Sequence, residues 1–156
     1  ISLRRLTSSR PREVLRDDVR SFLVAPDKFK GSMSAREVSE CMALAIADCY
    51  PTASIERLPF ADGGDGSLEI LLNYGFRPIK VKTHNALFRP VDSVYGLKEE
   101  SGRRIAFIEM AKICGIVSLD RSRLKPRLAS SFGLGEVTNQ VLTEGVDEVI
   151  ISVGGS

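Results

Sequence analysis

Apolar residues gather in short groups divided by polar stretches rich in glycine and proline, and their spacing alternates between two periods. Ser21 to Ala25 is a brief apolar run ended by Pro26, the mark of a buried strand. Ser34 with Glu37 matches a capping box, and Val38, Cys41, Met42, Ala45, Ile46 and Cys49 follow at helical spacing up to Pro51. A second strand is predicted over 55–60. Ser67 is placed to cap a short helix over 68–73, closed by Gly75. Residues 79–83 alternate as a strand does, and 91–97 and 104–109 form a hairpin about the polar turn Lys98 to Gly102. Helical stretches are expected at 110–113 and 134–144, the second stopped by Gly145. Val149 to Val153 is a strongly apolar run that predicts a strand buried on both faces.

Strands alternating with helices give an α/β class, with an antiparallel departure at 91–109 and a boundary near residue 77. Residues 21–77 then read as the first part of one α/β domain and 78–156 as part of a second with a mixed sheet. The closing strand runs into Gly154-Gly155-Ser156 with no returning helix, so the fold is expected to be truncated there and to leave apolar surface open.

Composition narrows the classes. The apolar share is 43%, the charged share 27% and the net charge +2, which suits a globular chain and gives no case for nucleic acid or a membrane surface. No apolar run approaches the roughly 18 residues of a membrane span. Residues 1–20 carry six arginines without sustained apolar periodicity and read as a disordered or extraneous basic arm, with organelle import as the alternative. Cys41, Cys49 and Cys114 make an odd count without metal spacing and read as buried reduced thiols of a cytoplasm-like compartment. His84, the single histidine, reads as a loop or sheet-edge residue.

In open α/β sheets, ligands bind beyond the carboxyl ends of strands. Four loops fit that position. The first holds Asp27, Lys28, Lys30 and Ser32 before a capped helix, with Lys30 able to neutralise phosphate as a point charge; the alternative is a solvated connector. The second is Asp62-Gly63-Gly64-Asp65-Gly66. Its glycines let backbone approach a ligand, and its carboxylates could hold Mg²⁺ or accept hydrogen bonds from a polyol. A tight surface turn is the competing reading. The third is Gly154, Gly155 and Ser156, and the weakest is Ser131-Phe132-Gly133-Leu134-Gly135 ahead of a helix.

Six segments, APDKFKGSMSA (25–35), LPFADGGDGS (58–67), FRPV (88–91), IEMAKICGI (108–116), SSFGLGE (130–136) and VGGS (153–156), together resemble the glycerate kinase family in its own order. The likeness covers about 22–156. The family's usual Asp-Pro-Leu-Gly-Arg-Pro stretch is here Asn85-Ala86-Leu87-Phe88-Arg89-Pro90. The resemblance implies a two-domain architecture, a Rossmann-like or flavodoxin-like parallel sheet plus a mixed α/β domain, with the site between them. It implies transfer of the ATP γ-phosphoryl group to D-glycerate, giving 2-phosphoglycerate, with Mg²⁺. On it, Lys30, Asp62 and Asp65 carry the chemistry, and the two aspartates are the metal candidates. Asp27, Ser32, Gly63, Gly64, Gly66, Ser131, Gly133, Gly135, Gly154, Gly155 and Ser156 line substrate and phosphates. Glu109 is read either as a polar wall of the site or as a buried structural carboxylate. A catalytically inactive truncated paralogue, a gene-model fragment and an unrelated nucleotide-binding α/β domain are the alternatives.

Overall fold

The computed structural model describes residues 21–116, 119, 122 and 124–155. The expectations for the basic arm at 1–20 and for Ser156 lie outside the described residues. The elements run β1 (Ser21–Val24), α1 (Ala35–Cys49), β2 (Ser54–Arg57), α2 (Ser67–Leu71), β3 (Arg77–His84), β4 (Pro90–Glu100), β5 (Arg103–Glu109), α3 (Met110–Cys114), α4 (Phe132–Thr143) and β6 (Glu148–Ser152). The class is α/β with two sheets. β1 and β2 pair in parallel, and the larger sheet has the order β3-β4-β5-β6, antiparallel except for the parallel β5–β6 pair.

Local chemistry accounts for most boundaries. Ser34 caps α1 by accepting from the Glu37 N–H, and Glu37 accepts in return from the Ser34 N–H, closing the capping box. The β4–β5 hairpin turns on Ser101 and Gly102, both at positive φ, as a type I′ turn requires. Gly75 and Gly145 take left-handed conformations just past the helical segments they end. At α2, Gly66 occupies the cap position in place of Ser67, whose hydroxyl donates to the Gly64 carbonyl at 2.6 Å.

The main core lies between one face of the large sheet and the helices α3 and α4. Val81, Tyr95, Leu97, Ala106 and Ile108 meet Ile113, Cys114, Val137 and Val141 there. Alternation along β5 sends Phe107 and Glu109 to the other face. On that side Phe107 meets Phe76 edge-on at 6.3 Å, and Leu68 of α2 is buried over Gly96.

Two burial expectations fail. Cys41 and Cys49 are exposed, although Cys114 is buried and all three are free thiols. The sheet beneath α1 is two strands wide, so it covers Ala35 and Val38 but leaves Met42 and Leu44 exposed on the later turns. β6 is not buried on both faces either. It is the edge of its sheet, with Ile150 and Ile151 exposed and Val149 packed on the core.

Candidate active site

The acidic glycine loop is built onto the large sheet by one buried carboxylate. Glu109 ends β5 with no exposed surface. Its Oε1 accepts from the Gly66 N–H at 3.1 Å and its Oε2 from the Leu68 N–H at 2.7 Å. Both oxygens are thus spent on the backbone that enters α2, and Glu109 sits behind the loop as its anchor. The loop after β6 holds the other side: Gly154 N–H donates to the Gly63 carbonyl at 3.0 Å. A Cβ on Gly154 would stand 2.7 Å from the Gly64 Cα, so the two glycine backbones meet where no side chain fits. Replacing Gly154 with alanine is expected to push the two loops apart at a cost of about 2 kcal/mol. Urea denaturation followed by circular dichroism checks this, and an unchanged midpoint would show that the loops part without strain.

On this frame Asp62 faces the first loop. Its Oδ1 accepts from the Gly64 N–H at 3.0 Å and from Lys28 Nζ at 3.3 Å. Those two donors, the Gly64 amide first, hold the Asp62 carboxyl below its ordinary range, so it is ionised at neutral pH. Lys28 also lies 3.7 Å from Asp27, whose carboxylate takes the Lys28 N–H at 2.6 Å. Lys28, not Lys30, is therefore the cation tied to the acidic loop. Lys30 is exposed on the same cleft wall. The two lysines are equivalent in sequence; Lys28 precedes the turn at Phe29–Met33, with Gly31 at positive φ, and Lys30 lies within it.

The resulting cleft measures about 1390 Å³. That exceeds the roughly 300–1,000 Å³ of an ordinary small-ligand pocket. Asp27, Lys30, Ser32, Asp62, Gly64, Asp65, Gly66 and Gly155 all line it. Among the described residues no three His, Cys, Asp or Glu side chains gather as a metal cage. Asp62 and Asp65 fit the sparer pattern of Mg²⁺, one or two carboxylates with the rest of the shell from phosphate and water. No helix among the described residues is long and apolar enough to cross a membrane.

The fourth loop goes elsewhere. Ser131, Gly133 and Gly135 do not line the cleft; they begin α4 against the end of β3. Thr83 Oγ1 shares its single proton between the Gly133 carbonyl at 2.8 Å and Glu136 Oε2 at 3.0 Å. His84, at the end of the edge strand β3, places Nδ1 2.8 Å from the same Glu136 oxygen. Sequence reasoning missed this pair, whose members are 52 residues apart. The His84 contact is the first cause holding the Glu136 carboxyl below its usual 4.5. A carboxyl depressed in the folded state lends stability above its unfolded value and loses it as pH falls through the folded one. Glu136→Gln is therefore expected to flatten the loss of stability below about pH 4.5, read from urea midpoints across that range. An acid limb identical to the wild type would show that the pair adds nothing.

A profile described as the Glycerate kinase family matches residues 22–156. The glycerate kinase of Halalkalibacterium halodurans is 33% identical over 87% of this chain and 36% of its own length. The glycerate 2-kinase of Escherichia coli is 32% identical over 86% of this chain and 35% of its own. In three dimensions the chain is similar to a putative glycerate kinase 2 from Salmonella typhimurium, with a TM-score of 0.66 and 34% identity over 89% of this chain and 37% of that one. The chain thus spans about a third of the length of the relatives it matches. With six motifs, two sheets and a profile match across nearly all of the described residues, this chain belongs to the glycerate kinase family.

Proposed function

We propose that this chain supplies the ligand cleft of a glycerate kinase, where the γ-phosphoryl group of ATP passes to a hydroxyl of D-glycerate to give 2-phosphoglycerate. The observation that carries the reading is the meeting of Lys28 and ionised Asp62 in one cleft, on a glycine loop that the Gly63–Gly154 backbone contact holds from outside the lining. In this reaction the substrate hydroxyl oxygen bonds to the γ-phosphorus, the bond to the β–γ bridging oxygen breaks, ADP leaves with that electron pair and the hydroxyl proton passes to water. Such transfers rest on positioning and charge neutralisation more than on covalent help. Lys28 and Lys30 bring positive charge to the phosphates. Asp62 and Asp65 are the residues that would hold Mg²⁺, which supplies further neutralisation of the phosphate oxygens when bound. The change of sheet between β2 and β3 supports a division into a first domain part at 21–77 and a second at 78–156.

The test grafts residues 22–156 into the Escherichia coli glycerate 2-kinase in place of its matching third. ADP formation that depends on D-glycerate is expected, with 2-phosphoglycerate seen by ³¹P NMR. A folded chimera that binds ATP but shows no glycerate-dependent turnover would favour an inactive paralogue. In the active chimera Asp62→Asn should lower kcat/KM at least ~10-fold, about 1.4 kcal/mol of transition-state stabilisation. Wild-type rates in that variant would make the loop purely structural.

A further inference from the structure

One wall of the cleft carries charges that the phosphoryl-transfer loops leave unused. Arg36, Ser39 and Glu40 follow one another at i, i+3 and i+4 on α1 and so share a helix face. Arg57 closes β2 beside them, and all four residues line the cleft. Glu40 Oε1 is shared by two guanidinium groups, at 3.4 Å from Arg36 Nε and 3.8 Å from Arg57 Nη1. Both contacts are long and solvent-exposed, so they hold the arginines loosely. Ser39 is the second, separate observation. It is 2% exposed, and its hydroxyl is sealed from solvent with no hydrogen-bond partner. A buried hydroxyl left unpaired is uncommon in a folded protein and needs a reason.

We infer that Arg36, Arg57 and Ser39 form an oxyanion subsite of the cleft, taking a phosphate or carboxylate group of the ligand, with Glu40 as the resident carboxylate that the ligand displaces. The inference rests on the cleft being the ligand site. Two guanidinium groups present several N–H donors in planar forks, a geometry matched to an anion with two or more oxygens. The Ser39 hydroxyl is sealed in the free protein, so the subsite requires that displacement of Glu40 open the wall to a ligand oxygen, which then supplies the acceptor the hydroxyl lacks. The arginines gain stronger, charge-assisted bonds than the ones they give up to Glu40. The subsite is specific to an anionic group and adds affinity within the cleft that Lys28 and Asp62 also line.

The experiment titrates inorganic pyrophosphate and, separately, D-glycerate into the 156-residue protein by isothermal calorimetry. Arg57→Met should weaken binding of the responding anion at least ~10-fold, and Ser39→Ala by roughly 3- to 10-fold. Glu40→Gln should tighten it about 3-fold, because a competing carboxylate is gone. The opposite signs at neighbouring positions separate a ligand site from a general loss of structure. A response to pyrophosphate alone identifies phosphate as the group taken, and a response to D-glycerate alone identifies carboxylate; either supports the subsite. Failure of the wild type to bind either anion, or equal binding by all the variants, overturns it. Ser39→Ala melting higher with unchanged affinity would make Ser39 a packing residue and remove it from the subsite. If pyrophosphate binding follows these signs while the chimera makes no phosphoglycerate, the subsite stands and the kinase reading falls. If the chimera turns over and Arg57→Met leaves every affinity unchanged, the reverse holds.

Discussion

Glu109→Ala is expected to lose about 3 kcal/mol of stability and to free the acidic glycine loop from the sheet. The carboxylate is fully buried, and it is the acceptor for two backbone donors, Gly66 N–H and Leu68 N–H. A buried backbone donor left without its partner costs roughly 1–3 kcal/mol. Gly66 is half-buried and can recover some of this from water, whereas Leu68 is sealed. The total therefore falls in the lower part of the range for two donors, not at its top. For a chain of this size the melting point should drop by about 6–12 °C. The chain has no tryptophan, so circular dichroism is the probe. Glu109→Gln keeps one accepting oxygen and turns an amide N–H₂ toward the other donor, so it should lie between wild type and alanine. Hydrogen exchange at Gly66 and Leu68 should rise before exchange in β3 and β4 does. A Glu109→Ala protein with wild-type stability and a protected Leu68 amide would show that the loop is held by its glycines and the Gly154 contact alone.

Glu109 also shows what was legible before the structure. The alternation Ala106, Phe107, Ile108, Glu109 puts a carboxylate on the same sheet face as Phe107, and a carboxylate on an inward face needs donors. That much could be read from β5. The donors could not, because they lie 41 and 43 residues away, in a loop whose path depends on three glycines. The capping box at Ser34 and Glu37, the Ser101–Gly102 turn and the period of α4 were readable because each is decided within a few residues. Burial of α1 was not. Its apolar spacing is regular, yet how far it is covered depends on how many strands lie beneath it. The same limit hides the Lys28–Asp62 contact: charge is visible in sequence and the partner it meets is not. Ser39 gave no signal at all, since a serine on a helix is ordinary until its surroundings are known.

Gly133 and Gly135 give the sharpest contrast. Side by side in one motif, both read as backbone contacts for an anion, yet substitution should move them in opposite directions. A Cβ on Gly133 would collide with the carbonyl oxygen of His84 and stand 2.8 Å from its carbonyl carbon and 2.9 Å from Thr83 Oγ1. The obstacle is backbone of the edge strand β3, which cannot rotate away as a side chain could. Gly133→Ala must lift the first turn of α4 off β3. That breaks the Thr83 bond to the Gly133 carbonyl and strains the His84–Glu136 pair. A loss of about 3 kcal/mol or more is expected, in the range of overpacked cores. Gly135 has nothing within 4 Å of its would-be Cβ and lies inside α4. Alanine there should stabilise the helix by about 0.5–1 kcal/mol. Melting curves of the two variants decide the matter. Equal and small shifts would mean that α4 does not pack against β3 as closely as described. If Gly135→Ala stabilises the fold but weakens pyrophosphate binding, the start of α4 meets an anion after all, and its distance from the cleft is bridged by the ligand.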